Sequence, residues 1–397
     1  MKRLFLILAI IATSAFYANA QADSSEIPHK VKFSKSKRHR REIIVPQVNG
    51  YNCYKGDFHV HTSYSDGVVN PSGRIYEAWM DGLDIVAITD HYESRKGEKN
   101  FFKVIAPYLD NNTPLEYQTA SAAGTVKADF NAIHQEAVAA MEKKGYPMLL
   151  IKGCEMGRGA KTHGHFNCLF LKDLNGLYDK DMKEAFRKVK AQGGIVIHNH
   201  PAWRRDTSDK TEFHEDVYGA KLVDGVEVVN GTTFYPHIVR RCTEEKLAMF
   251  GNTDMHSTSP YNESNPSFRT MTLVFAKELT EESVKDAILN RRTIAHSAGN
   301  LIGEEKWLSA FLNEAVMCHM VEENKEQGTR KYQFINSSSF AYTLRMGKKS
   351  IKLKPFTPKY VTLKKEDSGK YPALAFSVEN MYHTDYQHPV IEIKIDK

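Results

Sequence analysis

Seventeen histidines are spread along this 397-residue chain, and the informative ones stand at short spacings from carboxylates. Asp57-Phe58-His59-Val60-His61 puts two imidazoles two residues apart. On a strand that spacing aims both side chains at the same face, where they can hold one metal ion. Asp66 follows in the loop Tyr64-Ser65-Asp66-Gly67. Thr89-Asp90-His91, Gly153-Cys154-Glu155, His198-Asn199-His200-Pro201 and Asn252-Thr253-Asp254-Met255-His256 each end an apolar run, and His163-Gly164-His165 begins one. Buried together, these groups carry charge that must be compensated, and metal ions compensate it. Imidazole plus carboxylate without thiolate suits Zn²⁺, Mn²⁺ or Fe²⁺ rather than Ca²⁺ or Cu⁺.

The elements that must position these groups read as short apolar strands alternating with amphipathic helices. Strands are expected over 54–61, 84–89, 147–155, 165–171, 195–198, 222–230 and 248–253, with helices over 71–82, 127–144, 179–192 and 237–246. Fully apolar strands separated by helices imply a parallel sheet covered on both faces. Their number suits a (β/α) barrel, whose strand ends converge on one face. Further helices are expected over 280–290 and 304–320. From about Lys331 the pattern alternates apolar with polar, as in Tyr332-Gln333-Phe334-Ile335 and Val390-Ile391-Glu392-Ile393. That texture predicts a small antiparallel β-sandwich-like domain over 326–397, after a barrel over 51–325.

In this order, HxH, a loop Asp, TDH, a strand-end Glu, a His entering the next strand, HP and DxH resemble the metal-binding signature of the PHP (polymerase and histidinol phosphatase) superfamily. The resemblance runs from about Tyr54 to His296 and implies a distorted (β/α)7 barrel. It further implies that His59, His61, Glu155 and Asp254 hold a first metal. Glu155 would bridge to a second, completed by His165 and His200, while Asp66, His91 and His256 hold a third. His165 is preferred to His163 because it leads directly into the apolar strand, and His200 to His198 because it precedes Pro201. With two or three divalent ions (Zn, Mn or Fe), a shared water would supply hydroxide at neutral pH for in-line attack on phosphorus. His198, His163 and Tyr92 are candidates to protonate the leaving group. Arg158, Arg204, Arg205 and Arg269 are candidate phosphate-facing cations, although Arg269 reads better as a structural partner. Asp90 reads as a strand-end hydrogen-bonding group rather than a ligand.

The expected activity is thus a metal-dependent phosphoesterase, a phosphodiesterase or phosphatase acting on a small phosphorylated substrate. Two alternatives come from other classes. Lys152, near a barrel strand end, could be carboxylated to bridge metals in an amidohydrolase-type enzyme for amides or lactones. A vestigial barrel carrying a binding β-domain is the other.

Composition and address complete the reading. Lys2 and Arg3, an apolar stretch from Leu4 to Phe16 and Ala18-Asn19-Ala20 form a secretory signal peptide over 1–20, implying a periplasmic or secreted protein. The formal charge of +6 is concentrated in Lys30 to Arg41, which reads as a solvated linker within 21–50. No aromatic residues interleave with it to stack bases, so nucleic acid is not the expected partner. Five cysteines lack a paired spacing, and no disulfide is expected.

Overall fold

Long apolar runs become strands here because helices or a second sheet cover both of their faces. The computed structural model describes residues 39–92, 116–117, 126–127, 130–261, 265, 267–364 and 373–395. The expected signal peptide, most of the basic linker and residues 128–129 of the helix expected over 127–144 lie outside these. Arg40 to Lys397 form one compact unit.

In chain order the first strands are β1 (Asn52–Val60), β2 (Ile85–Ile88), a two-residue pair β3 (Glu116–Tyr117) and β4 (Val126–Lys127), β5 (Leu149–Arg158), β6 (Gly164–Leu169) and β7 (Ile195–Asn199). They continue as β8 (Gly225–Asn230), β9 (Thr233–Phe234), β10 (Ala248–Asn252), β11 (Met271–Ala276), β12 (Thr293–Ser297) and β13 (Asn300–Gly303). Between them run α1 (Pro71–Met80), α2 (Phe130–Lys144), α3 (Met182–Ala191), α4 (Glu212–Gly219), α5 (Pro236–Glu245), α6 (Glu281–Leu289) and α7 (Glu305–Ala315). The main sheet is ordered β10-β8-β7-β6-β5-β2-β1-β11-β12-β13. It curls until the two chain segments after β10 and within β1 meet: Val60 bridges Met255, and Asp254 N–H donates to the His59 carbonyl at 2.9 Å. This is the expected distorted barrel, a curled mixed α/β sheet.

The sheet is not wholly parallel, contrary to the sequence reading. β6 runs antiparallel to both β5 and β7. Only the five-residue π-helical turn Gly159–His163 joins β5 to β6, too short for a parallel crossover. The helix α4 and the antiparallel strands β11 to β13 were not anticipated.

Inside the curl, Phe58, Ile85, Ala87, Ile151, Leu169, Ile195, Ile197 and Phe250 form a packed floor. Outside it, one cluster includes Cys154, Met156, Phe166, Cys168 and Val196. All five cysteines are buried free thiols.

The remaining strands are β14 (Val316–Asn324), β15 (Thr329–Asn336), β16 (Tyr342–Met346), β17 (Lys349–Leu353), β18 (Pro358–Lys364), β19 (Ala373–Val378), β20 (Met381–Tyr382) and β21 (Val390–Lys394). They build antiparallel sheets β14-β15-β18 and β17-β16-β19-β21. Phe334 meets Phe376 edge-on at 5.8 Å. The helix expected to reach Met320 stops at Ala315, and β14 starts at once, so the antiparallel texture begins ten residues before the expected boundary. The sandwich is not a free appendage, because β20 pairs with β13 of the main sheet. Trp307, Phe311, Phe334, Phe376 and the barrel's Ile75 and Phe275 share one core.

The end of the expected linker is also part of the fold. Arg40 lies over the Trp79 ring at 4.0 Å and donates to the Leu83 carbonyl, while Ile43 and Val48 are buried in the core.

Candidate metal centre

All nine residues expected as ligands meet at one end of the curl. They fall into overlapping groups whose donor atoms lie within 4.8 Å of one another: His59, His61 and Asp254; His59, Glu155 and His200; His91, Glu155 and His165; and His61, Asp66, His91 and His256. His59 and His61, two apart on β1, turn Nε2 toward Nε2 at 3.1 Å. Asp254 Oδ1 stands 3.2 Å from His59 Nε2 and 3.1 Å from His61 Nε2.

Glu155, fully buried on β5, occupies the middle. Its Oε1 faces His59, His165 and His200 at 3.2–3.3 Å. Its Oε2 faces His91 at 2.7 Å and His61 at 3.6 Å. One carboxylate therefore looks at histidines from both sides. On the outer flank, Asp66 approaches His256 at 3.0 Å and His91 at 3.3 Å. This flank is the open one: the side chains of Asp66 and His256 are 30% and 37% exposed, against 1% for Glu155.

Strand parity explains the ligand choices. On β7, Ile195 and Ile197 face the interior floor, so Asn199 follows them inward, and His198 faces out. His200 comes beyond the strand end with φ 26° and reaches Glu155. His198 instead stacks on Phe166 at 4.6 Å and shares a 2.8 Å hydrogen bond with the Tyr218 hydroxyl through Nδ1. His163 belongs to the π-turn, packed against Phe213. Asp254 likewise takes a positive φ, 54°. Non-glycine residues in that region are uncommon and gather where geometry serves a site.

His198, Arg158 and Tyr92, the residues expected in catalysis, are engaged in other contacts. His198 is turned to the outer layer. Arg158 donates to the carbonyls of Lys180 and Asp179 and lies over Tyr178. Tyr92 stacks on Phe130, and its hydroxyl accepts from Leu177 N–H at 3.1 Å. Arg269 is the structural partner expected, fully buried between Asp57 and Asp81. Asp90 accepts from Thr62 N–H, Thr62 Oγ1 and Ser65 Oγ, locking the loop that carries Asp66.

Three buttresses escaped the sequence reading. Glu227 on β8, completely buried, holds His59 Nδ1 at 2.8 Å, accepts from Asn252 at 3.0 Å and takes the His200 backbone N–H at 2.7 Å. This fixes which His59 nitrogen faces the cluster. Asn199 donates to both Glu155 Oε1 and Asn167 Oδ1. Arg74 on α1, also buried, donates to the carbonyls of His61, Met255, His256 and Ser257. A lone charged residue inside an otherwise apolar strand, as Glu227 is, was the available signal.

The electrostatics fit a cation site. Burial opposes a charge on Glu155, but His165, His91 and His59 outweigh it and hold its pKa well below the ordinary value. Burial also opposes charge on His59, yet Asp254, Glu227 and Glu155 push its pKa well above that of a free imidazole. Burial and the neighbouring His91 lower His61 to about 3. Neighbouring imidazoles pushed in opposite directions, with their nitrogens converging on carboxylates, form a donor set that a cation satisfies. Glu155 Oε2 is buried and receives no hydrogen bond of good geometry, as a bridging ligand oxygen requires. The residues present therefore fit two or three divalent ions.

A curled α/β sheet with a polynuclear imidazole–carboxylate centre at its strand ends defines the class. Residues 57–221 match the PHP domain. The chain is similar over 90% of its length, at 30% identity and a TM-score of 0.76, to the whole of a two-domain Bacteroides vulgatus protein described as containing a predicted PHP-like metal-dependent phosphoesterase. It belongs to the PHP family. A candidate metal-dependent phosphoesterase from Bifidobacterium adolescentis aligns at 16% identity over 59% of this chain and 96% of its own, with a TM-score of 0.38. An amidohydrolase from Chromobacterium violaceum aligns at 13% identity over 53% of this chain and 92% of its own, with a TM-score of 0.36. Neither bears on activity. No curated protein matches the chain.

Proposed function

We propose that the protein is an exported metal-dependent phosphoesterase, hydrolysing a phosphodiester or small phosphate monoester. The observation that carries the reading is the placement of Glu155, whose two oxygens face His59, His165 and His200 on one side and His61 and His91 on the other. Divalent ions in such a setting lower the pKa of water and neutralise charge on phosphate oxygens.

The chain's own residues then do four things. His59, His61 and Asp254 hold one position, and Glu155 with His165 and His200 holds the next. Glu227 and Asn199 keep His59 and Glu155 in orientation. Asp66, His91 and His256 form the open flank, through which a small ester enters. The packed floor of Phe58, Ile197 and Phe250 seals the far side against water.

A carboxylated Lys152 would support the amide or lactone alternative. Its Nζ donates to the Lys172 carbonyl at 3.1 Å, away from the cluster, and Glu155 already takes the bridging place. Export rests on the sequence of residues 1–20. Among the described residues, no helix is long and apolar enough to cross a membrane.

The test is a panel of phosphate mono-, di- and triesters on protein reconstituted separately with Zn²⁺, Mn²⁺ and Fe²⁺. Metal-dependent release from mono- or diesters, abolished by a chelator and in Glu155→Gln, is expected. Inactivity toward every ester with every metal, alongside cleavage of cyclic amides, would overturn the reading.

A further inference from the structure

The loop after His200-Pro201 carries two arginines with different fates. Arg205 is tied down, donating to the carbonyls of Pro201 and Asp209. Arg204 is exposed, and its contact is with an aromatic ring: its guanidinium carbon lies 4.5 Å from the centroid of Trp203. It makes no hydrogen bond or ion pair with any described residue. Its backbone is held at φ 56°, in the left-handed region that a non-glycine residue adopts only when its surroundings impose it.

Trp203 links this cation to the centre. The half-buried indole packs against His165 at 4.8 Å and His200 at 5.4 Å between ring centroids. One indole ring thus touches the guanidinium and both imidazoles. With the indole between it and the ligands, the guanidinium is placed to meet a second group several bonds along the same substrate. A guanidinium on an indole face keeps all its N–H donors directed outward for a planar or tetrahedral anion.

We propose that Arg204, presented by Trp203, selects phosphate esters whose alcohol portion carries a second anionic group, a carboxylate or another phosphate. This rests on the phosphoesterase reading and adds a substrate class to it. Arg204 is a specificity determinant rather than a ligand, so its replacement leaves the metal centre intact.

Two non-hydrolysable probes differing by one carboxylate test it: 4-phosphonobenzoate and phenylphosphonate, titrated calorimetrically into zinc-reconstituted protein. Wild type should bind 4-phosphonobenzoate about tenfold more tightly, the strength of one charge-assisted contact. Arg204→Ala should erase that preference while leaving phenylphosphonate binding unchanged, and Arg204→Lys should retain part of it. In a parallel assay, the ratio of kcat/KM for 4-carboxyphenyl phosphate over phenyl phosphate should collapse in Arg204→Ala through KM. If wild type binds both probes alike, or Arg204→Ala keeps the preference, the selection is wrong and the phosphoesterase reading survives. If neither probe binds wild type, both fall together.

Discussion

Glu227 shows how much of the centre is held by a residue that touches no expected substrate. It has no exposed surface, and it holds His59 by the nitrogen opposite the one facing Asp254. Removing its charge in Glu227→Gln weakens the set orientation of His59 and of His200. Losses of this kind cost 10–100-fold in metal affinity, so competition against a chelating dye should show a drop in that range with an unchanged fold by circular dichroism. The candidate ligands other than Asp66 were legible because they stand within or at the ends of apolar runs, where a polar residue has to be doing something; Asp66, in a loop, was marked only by the order of the motifs. Glu227 interrupts an apolar run as well, but its partners were not legible, since a carboxylate inside Gly225–Asn230 does not name His59 until the curl brings β1 within its reach. The choice of His200 over His198 was in principle legible from parity, because Ile195 and Ile197 alternate away from His198. The contacts of Arg158 and Tyr92 were not legible either: proximity in sequence to Glu155 or His91 says nothing about the carbonyls of Asp179 and Lys180 or the amide of Leu177 that they meet.

Among the elements, α1 does more than cover the sheet. Asn70 caps it by accepting from Gly73 N–H, Pro71 sets its first turn, and Arg74 then points inward to gather four carbonyls from the ligand-bearing segments after β1 and β10. Arg74→Met leaves those carbonyls buried without donors, at about 1–3 kcal/mol for each that finds no water. The expected result is a markedly lower melting temperature and weaker metal retention; a variant melting as wild type would remove α1 from the account. Arg74→Lys should recover little, because a point ammonium cannot span the fork. Arg269→Met makes a companion prediction: Asp57 and Asp81 lose their buried counter-ion, with a cost of about 3–5 kcal/mol measurable by urea unfolding. Strand and helix identities were well marked by periodicity, and ends were less so. Val316 to Met320 continue an apolar-rich helix pattern, and only pairing with β15 makes them a strand. The antiparallel β6 was hidden because a buried strand's sequence reads the same in either direction.

Across the whole molecule, barrel and sandwich share one core, and His296 on β12 sits at their junction. It is fully buried and stacks on Phe340 of the sandwich side at 4.7 Å. Burial pushes its pKa down from 6.5 to about 4. The folded state therefore binds the proton less well than the unfolded chain. The stabilisation is complete above pH 6.5, declines as pH falls toward about 4 and levels off below; at ~1.4 kcal/mol per unit it amounts to at most about 3 kcal/mol. In His296→Phe, urea-unfolding stability between pH 6.5 and 4 should fall less steeply than in wild type; an identical slope would assign the acid sensitivity elsewhere. The sandwich itself was legible from alternation, but its dependence on the barrel was not, because the pairing of β20 with β13 joins residues 80 positions apart. All of this scaffolding serves one cluster, and metal content measured by mass spectrometry on purified protein tests it most directly. Wild type should carry two or three divalent transition-metal ions per chain, and Glu155→Gln, which weakens the shared ligand, should lose at least one of them while remaining folded. A wild-type protein without stoichiometric metal after reconstitution, or a Glu155→Gln variant with an undiminished complement, would contradict the account.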